Sequence, residues 1–104
     1  MKIEMLKNYY MRELCEVGNV IKAEREIFVL KCRLGEKPFG GSEEDFDAEL
    51  LVNRSWRARI QHVNSLEDMQ EIIKDAGKCD YRDRTAARIN DLTSMLYFAD
   101  SAND

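Results

Sequence analysis

The sequence predicts an α+β fold, in which a mainly helical single domain carries one small antiparallel β-hairpin. Apolar residues recur at helical spacing near both ends of the chain, and two runs in the middle alternate apolar and polar residues as strands do. The composition, with 44% hydrophobic and 35% charged residues and only 1 Pro among 104, is typical of one soluble globular domain. An all-α helical bundle is the alternative, because the middle segment also fits a helix.

The first helix is predicted over residues 2–25. Its apolar residues are spaced three and four apart and form one stripe: Ile3, Leu6, Tyr10, Leu14, Val17 and Ile21. Gly18 lies inside this helix, where glycine costs about 1 kcal/mol relative to alanine, so we expect a bend or a break there.

Residues 26–34 are ambiguous, because their apolar side chains alternate with charged ones as in a strand. A helix that continued to Leu34 would be about 50 Å long, whereas a domain of this size is roughly 30 Å across. We therefore expect that the helix is interrupted or that another chain covers it.

The middle of the chain predicts a loop and then a hairpin. Residues 35–44 contain the stretch richest in helix breakers, Gly35-Glu-Lys-Pro-Phe-Gly-Gly, and are predicted to form the loop. Two alternating runs joined by Asn53-Arg54-Ser55 predict a β-hairpin over residues 45–63. Such strands would place acids opposite bases across the hairpin: Asp47 and Glu49 against Arg57 and Arg59. A helix is the alternative here, since Ala48, Val52, Trp56 and Ile60 lie four apart.

Two further helices are predicted towards the end of the chain. Residues 65–76 begin with Ser65 as a candidate N-cap and are followed by Gly77 as a stop. Residues 81–100 carry an apolar stripe that consists of Thr85, Ile89, Leu92, Leu96 and Ala99.

Charge and cysteine content limit the classes of partner. The formal net charge of −4 repels phosphate backbones and anionic lipids, so neither direct nucleic-acid binding nor membrane binding is expected. No apolar run approaches the roughly 18 to 20 residues of a membrane span, and the charged first residues do not fit a signal peptide. The 3 cysteines form no CxxC pair, which predicts reduced thiols, a cytoplasmic protein, and no metal or other cofactor.

Catalysis is not expected. His62 is the only histidine, and the sequence contains no phosphate-binding glycine loop and no nucleophile elbow. The sequence therefore predicts a protein that binds its target without transforming it.

The segment Tyr81-Arg-Asp-Arg-Thr-Ala-Ala-Arg88 indicates an anion site. Arg84 and Arg88 lie four apart, so both guanidinium groups would project from one helix face near its N-terminus. The alternative is that they form surface ion pairs with Asp80 and Asp91, worth well under 1 kcal/mol each. A second candidate ligand-binding pair is Asn19 and Lys22 on the first helix.

These segments resemble phage proteins that sequester cyclic-nucleotide immune signals, the Thoeris and CBASS anti-defence sponges. The resemblance consists of Asn19 to Lys22 with the apolar Ile27 and Leu30 behind them, and of Arg84 to Arg88 followed by an amphipathic helix end. It implies a homo-oligomer in which helices of neighbouring subunits build the pockets. It also implies that Lys22, Arg84 and Arg88 contact the phosphates of a small nucleotide-like ligand.

Two other binding functions fit the sequence. An acidic run could imitate a nucleic acid and bind a basic surface of a host protein, as anti-CRISPR and anti-restriction inhibitors do; it consists of Glu43, Glu44, Asp45, Asp47 and Glu49. The first helix could instead pair with a partner helix. We expect a homo-oligomer in any case, because this helix has more apolar surface than so small a domain covers.

Overall fold

The computed structural model describes residues 2–102, with side chains described for residues 2–96. It contains four α-helices in this range: α1 (Ile3–Arg33), α2 (Glu43–Gln61), α3 (Leu66–Gly77) and α4 (Arg84–Ala102). The fold is all-helical, with 79% helix and no strand among the described residues. The predicted α+β class is therefore wrong, and the all-α alternative is correct.

The predicted hairpin over residues 45–63 is a single helix, α2. Ser42 starts it with a capping box, in which its side chain accepts from the Asp45 N–H while the Asp45 carboxylate accepts from the Ser42 N–H. Asn53, Trp56 and Ile60 are its buried residues, and their spacing of three and four is helical. The alternation of apolar and polar residues was a misleading signal here, because Leu51 and Val52, two apolar residues of the predicted first strand, are both exposed on the helix.

The acid–base pairs expected across the hairpin do not form, because α2 is a helix. Asp47 instead accepts a hydrogen bond from Arg25 of α1 at 2.7 Å. Arg59 donates to Asp75 of α3 at 2.6 Å. Both pairs tie α2 to a neighbouring helix.

Helix α1 runs unbroken through Gly18 and through the ambiguous residues 26–34 as far as Arg33. Its 31 residues are about 46 Å long at 1.5 Å per residue. The expected interruption is absent, and the molecule is elongated instead, with extents of 56 × 28 × 23 Å. The C-terminal part of α1 packs on α2, where the ring centroids of Phe28 and Phe46 lie 5.6 Å apart.

Helix α3 begins after Ser65, whose side chain accepts from the Asp68 N–H at 3.2 Å. Helix α4 begins at Arg84 and not at the predicted residue 81, because the Asp83 carboxylate accepts from the Ala86 N–H at 2.9 Å and so caps the helix. Thr85, Ile89 and Leu92 of the predicted α4 stripe are buried. The side chain of Ala99 lies outside the described residues.

The core lies between the first half of α1, the second half of α2, and helices α3 and α4. Its buried members are Tyr10, Leu14, Trp56, Ile60, Val63, Met69, Ile72, Ala76, Ala86, Ile89 and Leu92. The last part of α1 with its C-cap residue (residues 25–34) and the first part of α2 (residues 43–48) contain no member of this cluster and extend beyond it; we call them the α1–α2 arm. No helix of residues 2–102 is both long and apolar enough to cross a membrane.

A buried polar cluster joins three helices at the base of this arm. The Asn53 side-chain amide donates to the Leu14 carbonyl and to the Thr85 hydroxyl, both at 2.9 Å, and the Asn53 Oδ1 accepts from Arg57 Nε at 2.9 Å. Asn53 is 1% exposed and Thr85 2%. Because a buried polar group is costly without a partner, these bonds favour one alignment of α1, α2 and α4.

Gly18 allows Asn53 to approach α1 closely. A Cβ at Gly18 would lie 3.0 Å from Asn53 Oδ1, closer than carbon and oxygen atoms normally pack. The glycine that predicted a break in the helix instead makes room for the amide.

Replacing Gly18 with alanine is therefore expected to lower Tm, although glycine-to-alanine changes inside helices usually stabilise by up to about 1 kcal/mol. The added methyl group would push on Asn53, which cannot shift without weakening its buried hydrogen bonds. Gly77→Ala in α3 is the control, since its new methyl would meet Asn90 Oδ1 at an ordinary 3.8 Å. Thermal unfolding of both variants checks the prediction, and a higher Tm for Gly18→Ala would contradict it.

Candidate functional site

A cleft of about 910 Å³ lies beside the α1–α2 arm. Three segments meet there: the loop before α2, the first turns of α2, and the turn before α4. Its lining consists of Gly40, Gly41, Asp45, Phe46, Glu49, Tyr81, Arg82 and Arg84. A volume of this size lies in the range of small-molecule sites.

Two glycines form the wall contributed by the loop. Gly40 has a φ of 93° and Gly41 a φ of 111°, values that side-chain-bearing residues rarely adopt. A Cβ at Gly41 would also lie 3.2 Å from Asp45 Oδ2, the oxygen that accepts from the Ser42 N–H. The glycines therefore let the chain turn sharply into the capping box of α2.

Another part of the lining is a turn with a fixed backbone. Asp80 Oδ1 accepts from the Arg82 N–H at 3.0 Å, and the Asp80 carbonyl accepts from the Asp83 N–H at 3.0 Å. Asp83 accepts from the Trp56 indole N–H at 2.9 Å, which anchors the turn to the core. Tyr81 stands on this turn with 82% of its surface exposed, so a flat partner can stack on its ring.

Trp56 itself takes no part in the cleft. The sequence left open whether its ring stacks on a base or packs in the core. It is 7% exposed and belongs to the core cluster. Its indole N–H serves the turn that carries Tyr81.

Arg84 is held between two carboxylates at the cleft wall. Its guanidinium donates to Glu24 of α1 at 2.9 Å and to Glu49 of α2 at 2.5 Å. The hydrogen bond with Glu24 contributes most, and together with the bond to Glu49 it raises the pKa of Arg84 above its ordinary value. The charge of Arg84 is thus already balanced by the protein, which makes it a group that positions the three helices.

Arg88 does not reach the cleft. It donates to Glu13 of α1 at 2.8 Å, and this bond raises the pKa of the Arg88 guanidinium. Together with Arg84, it lines a shallow groove between α1 and α4 that also contains Val17, Val20, Ala87 and Asp91. The ion pairs considered from the sequence, Arg84 with Asp80 and Arg88 with Asp91, give way to pairs with acids of other helices.

Of the four predicted ligand-binding residues, the structure brings Arg84 and Arg88 to one groove and leaves Asn19 and Lys22 outside its lining. Asn19 and Lys22 are exposed on α1. Lys22 lies two residues before Glu24, the partner of Arg84, so the two side chains point to opposite sides of the helix. Asn19 and Lys22 therefore do not share the groove of Arg84 and Arg88 within one copy of the chain.

The acidic run is largely used within the molecule. Glu43 and Asp47 both pair with Arg25 at 2.7 Å, and Glu49 pairs with Arg84. Asp45 completes the capping box of α2. Of the five acids, only Glu44 has no ion pair or side-chain hydrogen bond among the described residues, which disfavours the run as an imitation of nucleic acid.

Residues with metal-binding or catalytic side chains are scattered. Within the described part of the chain, no group of three or more His, Cys, Asp or Glu side chains could hold a metal ion. His62 is exposed at the C-cap of α2, and Cys15, Cys32 and Cys79 are free thiols.

Sequence reasoning missed Tyr81 and Arg82 as site residues, although it singled out the segment that contains them. It assigned them to a helix, whereas they stand on the turn before it. The signal that could have found them is Asp83, a good N-cap two residues after Tyr81. The loop glycines that line the same cleft lie about 40 residues earlier, and nothing local links the two segments.

No model of a known protein family matches the chain, and neither a curated protein nor a solved structure matches it.

Proposed function

We propose that this protein binds a small anionic, nucleotide-like ligand in the cleft and holds it without chemical change. The observation that carries the proposal is that Tyr81, Arg82 and Arg84 line one cleft together with Gly40 and Gly41. An exposed aromatic ring next to an arginine suits a base and a phosphate of the same ligand.

Arg82 is the residue that we assign to the phosphate. It is exposed, and none of the ion pairs formed by residues 2–96 includes it. Its backbone N–H is held by Asp80, so the side chain starts from a fixed point. A guanidinium that starts unpaired gains two charge-assisted hydrogen bonds when it meets a phosphate.

Tyr81 and Phe46 supply the apolar part of the site. A nucleobase that stacks on an aromatic ring gains about 1–3 kcal/mol, largely without regard to the identity of the base. Arg84 keeps its bonds to Glu24 and Glu49 and supports the wall. Because Asp45 and Glu49 also line the cleft, a ligand with one or two phosphates fits better than a long polyanion.

Sequestration of a nucleotide signal is the use that the resemblance to phage anti-defence sponges implies, and we retain it as part of the proposal. A cytoplasmic location accords with the three free thiols. The site differs from the predicted one, since Asn19, Lys22 and Arg88 are no longer included.

Ligand binding is tested with a panel of cyclic dinucleotides, cyclic ADP-ribose isomers and linear adenine nucleotides. Thermal unfolding detects a hit, because a ligand at 100 times its Kd stabilises by about 2.7 kcal/mol. Calorimetric titration then gives the Kd. A panel without any stabilising member would overturn the proposal.

Arg82→Ala is expected to weaken binding of a panel hit by about 10- to 100-fold, the equivalent of a charge-assisted hydrogen-bond pair. Tyr81→Ala should weaken it by at least about tenfold through lost stacking. Arg54→Ala, at an exposed position of α2 outside the cleft lining, is the matched control and should bind as the unmodified protein does. Equal Kd values for Arg82→Ala and Arg54→Ala would place the ligand elsewhere.

A further inference from the structure

The outer face of α1, continued by its C-cap residue Leu34, carries an apolar row that is exposed. Val20, Ile27, Leu30 and Leu34 are 53%, 54%, 55% and 79% exposed, and Ala23 between them is exposed as well. We call these five residues the α1 seam. Arg25 and Phe28, which contact α2, lie on the other side of the helix.

The spacing of the seam is that of a coiled coil. Its members follow one another at intervals of three, four, three and four residues, which is the a/d pattern of two heptads. The a positions are Val20, Ile27 and Leu34, and the d positions are Ala23 and Leu30. Residues 20–34 span about 21 Å of helix.

The charges that flank the seam change sign at its middle. Glu24 and Glu26 occupy the e and g positions of the first heptad, and Lys31 and Arg33 those of the second. In an antiparallel pair of helices, e faces e and g faces g. An antiparallel pair of identical copies therefore brings acids opposite bases along both flanks.

We propose that two copies of this chain associate antiparallel through the α1 seam. With the twofold axis between residues 28 and 29, Ile27 packs on the partner's Leu30 and Leu34 packs on the partner's Ala23. The same alignment places Glu24 opposite the partner's Lys31, and Glu26 opposite the partner's Arg33. The apolar rows and the charges thus select one register together.

A parallel pair is less favourable. It aligns Glu26 with the partner's Lys31, but it leaves Arg33 without an acid. It also extends the a/d row back to Glu16, which would face the same carboxylate of the partner. In the antiparallel pair the two cores lie at opposite ends, because each α1 enters its own core near Ile21.

The helix is already formed before it meets a partner. Isolated helices of two heptads are marginal in water, but α1 is held straight by α2 through the Phe28–Phe46 contact and the bonds of Arg25. Association therefore orders few side chains and no backbone, and a seam this short suffices for a dimer that dissociates on dilution.

Sedimentation equilibrium from low-micromolar to millimolar protein tests the dimer. The weight-average mass is expected to rise from 12.1 kDa towards twice that value. Ile27→Asp should raise the dissociation constant by at least about tenfold, because a carboxylate at a core position cannot be satisfied. Leu51→Asp, at a 64% exposed leucine of α2 outside the seam, should leave it unchanged.

The orientation is tested by charge reversal. Arg33→Glu should weaken the dimer, and Glu26→Lys in the same chain should restore it, because the antiparallel pair places these positions opposite each other. A mass of 12.1 kDa at every concentration, or a dimer insensitive to Ile27→Asp, would overturn the proposal. Failure of the double variant to recover would overturn the antiparallel register. Circular dichroism confirms that each variant is folded.

Discussion

Asn53→Ala is expected to lower the free energy of unfolding by about 2–4 kcal/mol. Asn53 is 1% exposed, and its side chain makes three hydrogen bonds that connect α1, α2 and α4. Removing it leaves the buried Thr85 hydroxyl without its amide donor and Arg57 Nε without its acceptor. It also opens a space next to Gly18, which has no side chain to fill it.

Urea unfolding followed by the fluorescence of Trp56, the only tryptophan, measures this loss. Asn19→Ala is the matched control: Asn19 is exposed on α1, and alanine there should change stability by no more than about 0.5 kcal/mol. Equal midpoints for Asn53→Ala and Asn19→Ala would show that the buried cluster adds nothing to stability.

Leu14→Ala is expected to destabilise the protein by about 3–5 kcal/mol. Leu14 is 0% exposed and belongs to the core cluster. Its backbone carbonyl accepts the hydrogen bond from the Asn53 amide. The cost combines the lost burial of the side chain with a cavity that rigid helix backbones fill poorly.

Leu51→Ala provides the comparison for Leu14→Ala, since it makes the same change at a leucine that is 64% exposed and also lies inside a helix. Its effect on the unfolding midpoint should be small. Both variants are best measured at low-micromolar protein, so that the proposed dimerisation does not contribute. A loss below about 1 kcal/mol for Leu14→Ala would mean that this end of α1 is not part of the cooperative core.

The two candidate surfaces share Glu24, which bonds Arg84 at the cleft wall and flanks the α1 seam, but their defining residues are different. The cleft depends on the turn at Tyr81 and Arg82, whereas the α1 seam depends on the outer face of a single helix. Arg82→Ala should therefore leave the dissociation constant of the proposed dimer unchanged, and Ile27→Asp should leave the Kd of a panel ligand unchanged.

Local patterns predicted the elements whose signals agree with one another. The apolar stripe of α1 and the Ser65 cap of α3 each point to a helix, and a helix is present at both places. Over residues 45–63 two periodicities compete, because Phe46, Trp56 and Ile60 fit alternation and a helical face equally well. Contacts with α1 decide for the helix, since only a helix turns Phe46, Asn53 and Ile60 to one side.

The sequence by itself determined the arginines near the start of α4, the heptad spacing of the α1 seam and the absence of a second histidine. The tertiary structure alone decided what these arginines bind. Their partners, Glu13, Glu24 and Glu49, lie 35 to 75 residues away along the chain. It also decided which apolar residues of α1 stay exposed, because burial depends on where the other three helices end, and no local pattern carries that information.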